Sequence, residues 1–415
     1  MDGSSNLPGA TETMEKKDVR EAAERINSHI KKTPLVESRS LNEMCGCRVF
    51  LKLENLQRTG SFKIRGAANR LLTLSIKDKE AGIVTPSMGN HGESIAAMSS
   101  ILNINCTLVL PRNVKKSKID AIQGYGIKYE LYGKSYDDAF QRAGELSKER
   151  GYTMINSYED EAIMAGNGTL AMEVADEIPD LNTLIVPVGS GGLLAGTLLA
   201  LEGRDIKIKG VEPEGASSMS VSMKKGKPTS TPDTKTIATG LAARHPGVKP
   251  FGIIKERIGA DDIVLVSDNE IMESVLFLLE RKKMLAEPSG AAPLSALMYN
   301  KIRVEKNEKV CVIISGGNLD LSILSYFIEK KIAKEGRKLK LSIISHDTPE
   351  ALKSVIEILE NNEFEIIDID IDRISHGLPL GFCSIQIRAR INQNSLQEKC
   401  VKRLRSEGHK VIVSY

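Results

Sequence analysis

Between residues 18 and about 335 the chain alternates short apolar runs, rich in β-branched residues, with longer stretches whose apolar residues recur at helical spacing. The runs are R-V-F-L-K-L (48 to 53), G-I-V-T (82 to 85), C-T-L-V-L (106 to 110), K-Y-E-L-Y (128 to 132), T-L-I-V-P-V (183 to 188), I-K-I-K-G-V (206 to 211), D-I-V-L-V (262 to 266) and K-V-C-V-I-I (309 to 314). Helical stretches between them include 94 to 102, 136 to 150 and 192 to 201. A strand that is apolar throughout must be covered on both faces, so repeated strand-then-helix order predicts parallel sheets sandwiched by helices, an α/β fold. A chain of 415 residues exceeds the usual size of one domain, which predicts two or three cores.

After residue 336 the pattern changes. K-L-K-L-S-I-I-S reads as a strand, and the next helix opens with Thr348 as N-cap and Pro349 in its first turn. E-I-I-D-I-D-I-D-R-I (365 to 374) alternates strictly, as a sheet with one wet face does. A further strand, a helix stopped by Gly408 and a last strand complete the order βαββαβ. This is a second domain, residues 336 to 415, and it carries none of the chemical motifs below.

Composition removes several function classes. Net charge is +3 without a long basic run, which argues against nucleic acid as a partner. No stretch approaches the ~18 apolar residues of a membrane span. Residues 1 to 17 are polar and lack the apolar segment of a secretory signal, so they read as a disordered tail. The six cysteines include no C-x-x-C pair, and Cys45-Gly46-Cys47 has no neighbouring ligands to complete a metal site. These features predict reduced thiols, no bound metal and a cytoplasmic protein.

Four loops concentrate glycine and small polar residues where strands end: T-G-S-F-K-I-R-G-A (59 to 67), P-S-M-G-N-H-G (86 to 92), V-G-S-G-G-L-L-A-G (188 to 196) and I-S-G-G-N-L-D (314 to 320). Ligands of open α/β sheets sit beyond the carboxyl ends of strands. In the third loop a strand runs through glycines directly into an apolar helix, which aims backbone N–H groups and the positive end of a helix dipole at one point. That makes an anion cradle, most naturally for phosphate. It lacks the G-K-[ST] of a Walker loop. A dinucleotide fingerprint is the rival, with Gly189 and Gly191 as its first glycines and Glu212 as the acidic residue, but position 194 is Leu. A phosphate cup, Lys63 between small residues and Ser315 at a strand end together suggest pyridoxal 5'-phosphate, which needs a Schiff-base lysine and a partner for its pyridine nitrogen.

The motifs S-F-K-I-R-G-A, S-M-G-N-H-G, G-S-G-G-L and S-G-G-N, with A-E-P-S-G-A (286 to 291), occur in this order at spacings that resemble the fold type II (tryptophan synthase β-like) pyridoxal-phosphate enzymes. Within these, they resemble the serine/threonine dehydratases and serine racemases. The resemblance covers residues 18 to about 335, with a small subdomain of about 55 to 155 inserted in the large one. The terminal βαββαβ unit is similar to an ACT-like domain, as in threonine ammonia-lyases that carry one such module.

By position, the resemblance implies Lys63 as the catalytic Schiff-base lysine, Phe62 beside the ring and Asn90 on the cofactor's 3'-oxygen. Gly189, Ser190, Gly191, Gly192 and Leu193 cup the phosphate, and Ser315 meets the pyridine nitrogen. Ser87 with the backbone around Gly89, Asn90 and His91 holds the substrate carboxylate. The implied reaction is β-elimination and deamination of L-threonine to 2-oxobutanoate, of L-serine to pyruvate, or of both, each with ammonia. Serine racemase is the alternative, with a dehydrogenase and a non-catalytic amino-acid sensor further off. Racemases of this family resemble S-S-G-N-H, whose second serine moves a proton; here Met88 stands in its place, and a thioether holds no transferable proton.

Other departures matter as well. V-E-P-E-G-A-S-S keeps Glu212 but has Ser218 where cation-binding members have Asp, and Thr239 replaces an Asp common in relatives. The ACT-like turn reads Asp347-Thr348-Pro349-Glu350, with Glu350 where ligand-binding relatives have Gly. The resemblance implies a homodimer or homotetramer, with an amino-acid effector or pure oligomerisation as the two roles for the terminal domain.

Overall fold

The computed structural model describes residues 14–87, 89–114, 116–335, 338–391 and 394–414. The chain divides into two compact units, Met1–Leu319 and Asp320–Tyr415. The division falls ahead of the sequence boundary at 336, because the helix Leu321–Lys334 groups with the C-terminal unit. The expected tail also needs correction at its inner end. Met14 is buried in the large core and a helix begins at Lys16, whose Nζ donates to the Glu202 carbonyl at 2.6 Å.

The first unit holds two sheets. β1 (Leu35–Glu37), β2 (Arg48–Leu53), β7 (Thr183–Pro187), β8 (Lys207–Pro213), β9 (Ile263–Val266) and β10 (Lys309–Ile314) form a six-stranded sheet in the order β1-β2-β10-β7-β8-β9. Only β1 runs antiparallel, on the edge beside β2. β3 (Ile83–Pro86), β4 (Cys106–Leu110), β5 (Lys128–Leu131) and β6 (Thr153–Met154) form a parallel sheet, β5-β4-β3-β6. The apolar runs became strands for the reason that made them legible: every residue of β3, β4 and β7 is buried. β1 and β6 escaped the sequence reading because three and two residues are too few to show a period.

The second unit holds β11 (Lys338–His346), β12 (Glu365–Asp372), β13 (Phe382–Arg390) and β14 (Lys410–Ser414), antiparallel in the order β12-β13-β11-β14. With helices Pro349–Glu360 and Asn394–Ser406 between them, this is the βαββαβ order. The Thr348 hydroxyl accepts from Ala351 N, as an N-cap does.

A buried ion network fastens the start of the helix Lys63–Leu72. Arg65 is fully buried. Its Nε and Nη2 each donate at 2.8 Å to the two oxygens of buried Glu54, just past β2, and its Nη1 and Nη2 donate to Glu173 at 2.7 and 3.0 Å. Glu173, on the helix Glu161–Glu177, also accepts from buried Lys52 at 2.6 Å. Two cations face two carboxylates, and the planar guanidinium fork matches both acids at once. Removing one partner strands the others in a dry interior. Arg65→Met is therefore expected to lower unfolding free energy by about 3 to 5 kcal/mol in urea titrations; a loss under ~1 kcal/mol would show that the network carries no such weight.

Candidate active site

Lys63 is the first residue of its helix. Phe62 before it is buried, with its ring centroid 4.9 Å from the Lys63 Nζ. Protein atoms crowd the ammonium, and this desolvation pulls its pKa from about 10.5 down to about 8, against a smaller upward pull from the Glu287 charge. The preceding loop is laced to the end of β10. Phe62 N donates to Ser315 O at 3.0 Å, Gly317 N donates to Gly60 O at 2.8 Å, and Ser61 bridges Gly316. Ser315 is buried at that strand end. Lys63 and Ser315, distant in sequence, are thus held by one set of backbone bonds.

The loop after β7 enters the helix Gly192–Ala200 through Gly191, whose φ of +102° only glycine adopts without strain. A Cβ there would also meet the Met219 side chain at 2.6 Å. No side chain caps this helix, so its first-turn N–H groups, at Gly192 and Leu193, remain open for an anion. Ser190 O accepts from Gly247 N at 2.9 Å, which fixes the loop from outside.

Asn90 opens the helix Asn90–Leu102, with Gly89 as N-cap. The Ser87 hydroxyl accepts from Gly92 N at 2.8 Å and Gly89 N at 3.2 Å, so it braces this turn. His91 is buried. Its Nε2 lies 3.3 Å from Thr85 Oγ1 and its Nδ1 has no partner. Burial first, and the Lys63 charge second, push its pKa down to about 3, so the ring is neutral near pH 7. Met88, on which the expectation against racemisation rests, lies outside the described residues.

Two residues that the sequence reading gave no role belong to this cluster. Glu287 accepts from Asn90 Nδ2 at 2.6 Å, and its desolvated carboxyl is pushed up to about 7. The Asn318 amide nitrogen lies 3.0 Å from Asn90 Oδ1. Their signals were faint: an acidic residue directly before a helix-opening proline, and an asparagine closing a glycine loop at a strand end.

Glu212 is held differently from either role the sequence left open. It is buried, and its two oxygens accept from Met219 N at 2.9 Å and Ser220 N at 2.8 Å. A carboxylate spent on the first turn of the next helix does not present itself to a ribose. Among the described residues no group of three His, Cys, Asp or Glu side chains has the arrangement of a metal site.

The sequence profile described as "Pyridoxal-phosphate dependent enzyme" matches residues 26–316. The chain belongs to the pyridoxal-phosphate dependent enzymes. Over 398 residues it is 33% identical to the L-threonine ammonia-lyase of Thermotoga maritima, covering 95% of this chain and 98% of that one. Two solved structures are similar in fold. Maize serine racemase gives a TM-score of 0.72 at 31% identity, over 78% of this chain and 99% of that one. Threonine deaminase isoform 2 from Solanum lycopersicum gives 0.71 at 29%, over 79% and 99%.

The residues present fit the family's cofactor. The open N–H groups at the uncapped start of the helix Gly192–Ala200 suit its phosphate, and the Lys63 amine is desolvated as a carbonyl-reactive lysine requires.

Glu287 and Lys63 contribute opposite pH trends to the stability of the cofactor-free protein. Glu287 binds its proton more tightly folded than unfolded, so its contribution falls as pH rises from about 4.5 to about 7. Lys63 binds its proton less tightly folded, so its contribution rises with pH from about 8 to about 10.5. Urea midpoints measured against pH should show that Glu287→Gln flattens the first trend alone and Lys63→Met the second. Unchanged slopes in both variants would contradict the desolvation described.

Proposed function

We propose that the protein is a lyase that deaminates L-threonine to 2-oxobutanoate and ammonia, L-serine to pyruvate and ammonia, or both. The observation that carries this reading is the Lys63 amine, poised near neutrality and tied through the Phe62 and Ser315 backbones to the strand end expected under the pyridine ring. The names of the similar proteins, L-threonine ammonia-lyase and threonine deaminase, support the same substrates.

In this reading Lys63 would hold pyridoxal phosphate at rest, and once the substrate amine replaces Lys63 the cofactor would supply the electron sink for breaking the Cα–H bond. Gly189, Ser190, Gly191, Gly192 and Leu193 hold the phosphate, and Asn90 donates to the 3'-oxygen. Phe62 walls the ring, and the neutral hydroxyl of Ser315 meets the pyridine nitrogen, leaving it less protonated than a carboxylate would. A neutral partner at that nitrogen would favour loss of a β-substituent over transamination. Ser87 and the N–H groups of Gly89, Asn90 and His91 take the substrate carboxylate. Lys63, its amine freed and desolvated, would take the Cα proton as general base.

Deamination is favoured over racemisation because Met88 stands in the sequence where the racemases it resembles have a serine, and a thioether has no transferable proton. The terminal unit, in the same reading, serves amino-acid regulation or assembly of a homodimer or homotetramer. Asp347 there pairs with Arg373 at 3.0 Å, and Glu350 stands exposed at the helix start. No helix among the described residues is long and apolar enough to cross a membrane, and we place the activity in the cytoplasm.

Lys63→Ala should lower 2-oxo acid formation by at least ~10³-fold and remove the borohydride-sensitive visible absorption of the holoenzyme. Chiral chromatography of L-serine incubations should show racemisation far slower than deamination. Racemisation at a matching rate would overturn the lyase reading.

A further inference from the structure

Asn318 lies in the loop after β10, and its side chain sits among three acceptors. Its Nδ2 lies 2.9 Å from Thr59 O, 3.0 Å from Asn90 Oδ1 and 3.1 Å from Glu93 Oε2. Its niche is cut to shape. Gly60 has φ +67°, and a Cβ on it would stand 2.2 Å from Asn318 Oδ1. The amide oxygen therefore lies against Gly60 and the amide nitrogen faces the three acceptors.

This decides the polarity of Asn90. Its oxygen accepts from Asn318, and its nitrogen donates at 2.6 Å to Glu287 Oε1. Glu287 is itself fixed by its backbone N–H, which donates to Gly316 O at 3.0 Å. Rotating the Asn90 amide by half a turn would set N–H against N–H at Asn318 and oxygen against oxygen at Glu287. Held as it is, Asn90 has one N–H committed to Glu287 and one left to offer.

We propose that Asn318 is a positioning residue: it orients the Asn90 amide so that Asn90 presents an N–H, and not its C=O, to the 3'-oxygen of pyridoxal phosphate. The inference rests on the assignment of Asn90 made under the proposed function. Glu93 and Thr59 share the Asn318 donors, and Glu287 backs Asn90 from the other end. The sequence element S-G-G-N thus does two jobs, Ser315 toward the ring nitrogen and Asn318 toward the ring oxygen, by way of Asn90.

The test uses Asn318→Asp, Asn318→Ala and Asn90→Ala holoenzymes, each stripped and titrated with pyridoxal phosphate, with visible spectra recorded across pH. Asn318→Asp sets a carboxylate against Asn90 Oδ1 and should raise the cofactor dissociation constant about ten-fold or more. It should also move the pH-dependent visible spectrum in the direction that Asn90→Ala moves it. Asn318→Ala removes the donor without adding an opposed acceptor and should give a smaller shift of the same sign. If the Asp variant does not fold, the Ala variant carries the test. A lowered melting temperature with wild-type spectrum and affinity in both Asn318 variants overturns the positioning role. Should Asn90→Ala be silent as well, the assignment of Asn90 falls and the inference falls with it.

Discussion

The Arg65 guanidinium, buried between Glu54 and Glu173, is the contact on which the rest of the site depends. It joins the end of β2, the helix Glu161–Glu177 and the helix that begins at Lys63. A lysine side chain has four rotatable bonds, and its usefulness depends on how well its Cα is held. Two residues along, Arg65 supplies that hold with five donors in a rigid plane. The network is also charge-matched, since Lys52 faces Glu173 on its second oxygen. A lone buried arginine would destabilise the fold; in this setting each charge answers another.

Desolvation then sets the chemistry. Burial lowers Lys63, raises Glu287 and lowers His91, three shifts of one cause and two directions. The outcome is a region where near neutral pH the imidazole is uncharged, the carboxyl is poised between its two forms, and the amine sheds its proton more readily than a solvated lysine. The uncapped start of the helix Gly192–Ala200, by contrast, offers open N–H groups to an anion.

Much of this could be read from residues alone, and the limits have physical causes. The strands of the first unit announced themselves because a run buried on both faces has no polar positions, as in β7. The βαββαβ order was visible in the strict alternation of 365 to 374. β1 and β6 were too short to have a period, and Met14 and Lys16 join the fold through contacts with distant residues that local composition does not report. Lys63, Ser315 and the phosphate loop stood out because glycine and small residues crowd them. Glu287 and Asn318 did not, since their roles exist only where four separate segments, at 59–63, 90–93, 287 and 315–318, come together.

The register of β10 has a consequence for the timing of synthesis. β10 is inserted between β2 and β7, pairing Lys309 with Arg48 and Val310 with Thr183. A ribosome therefore releases the Lys63 loop and the phosphate loop long before the strand that separates β2 from β7 exists. Until Asn318 emerges the nascent chain has an amine and an anion cradle with no central strand to align them, and closing so long a loop is slow. Lys63 is made early, while the strand end to which its loop is laced belongs to the last strand of that sheet to be made.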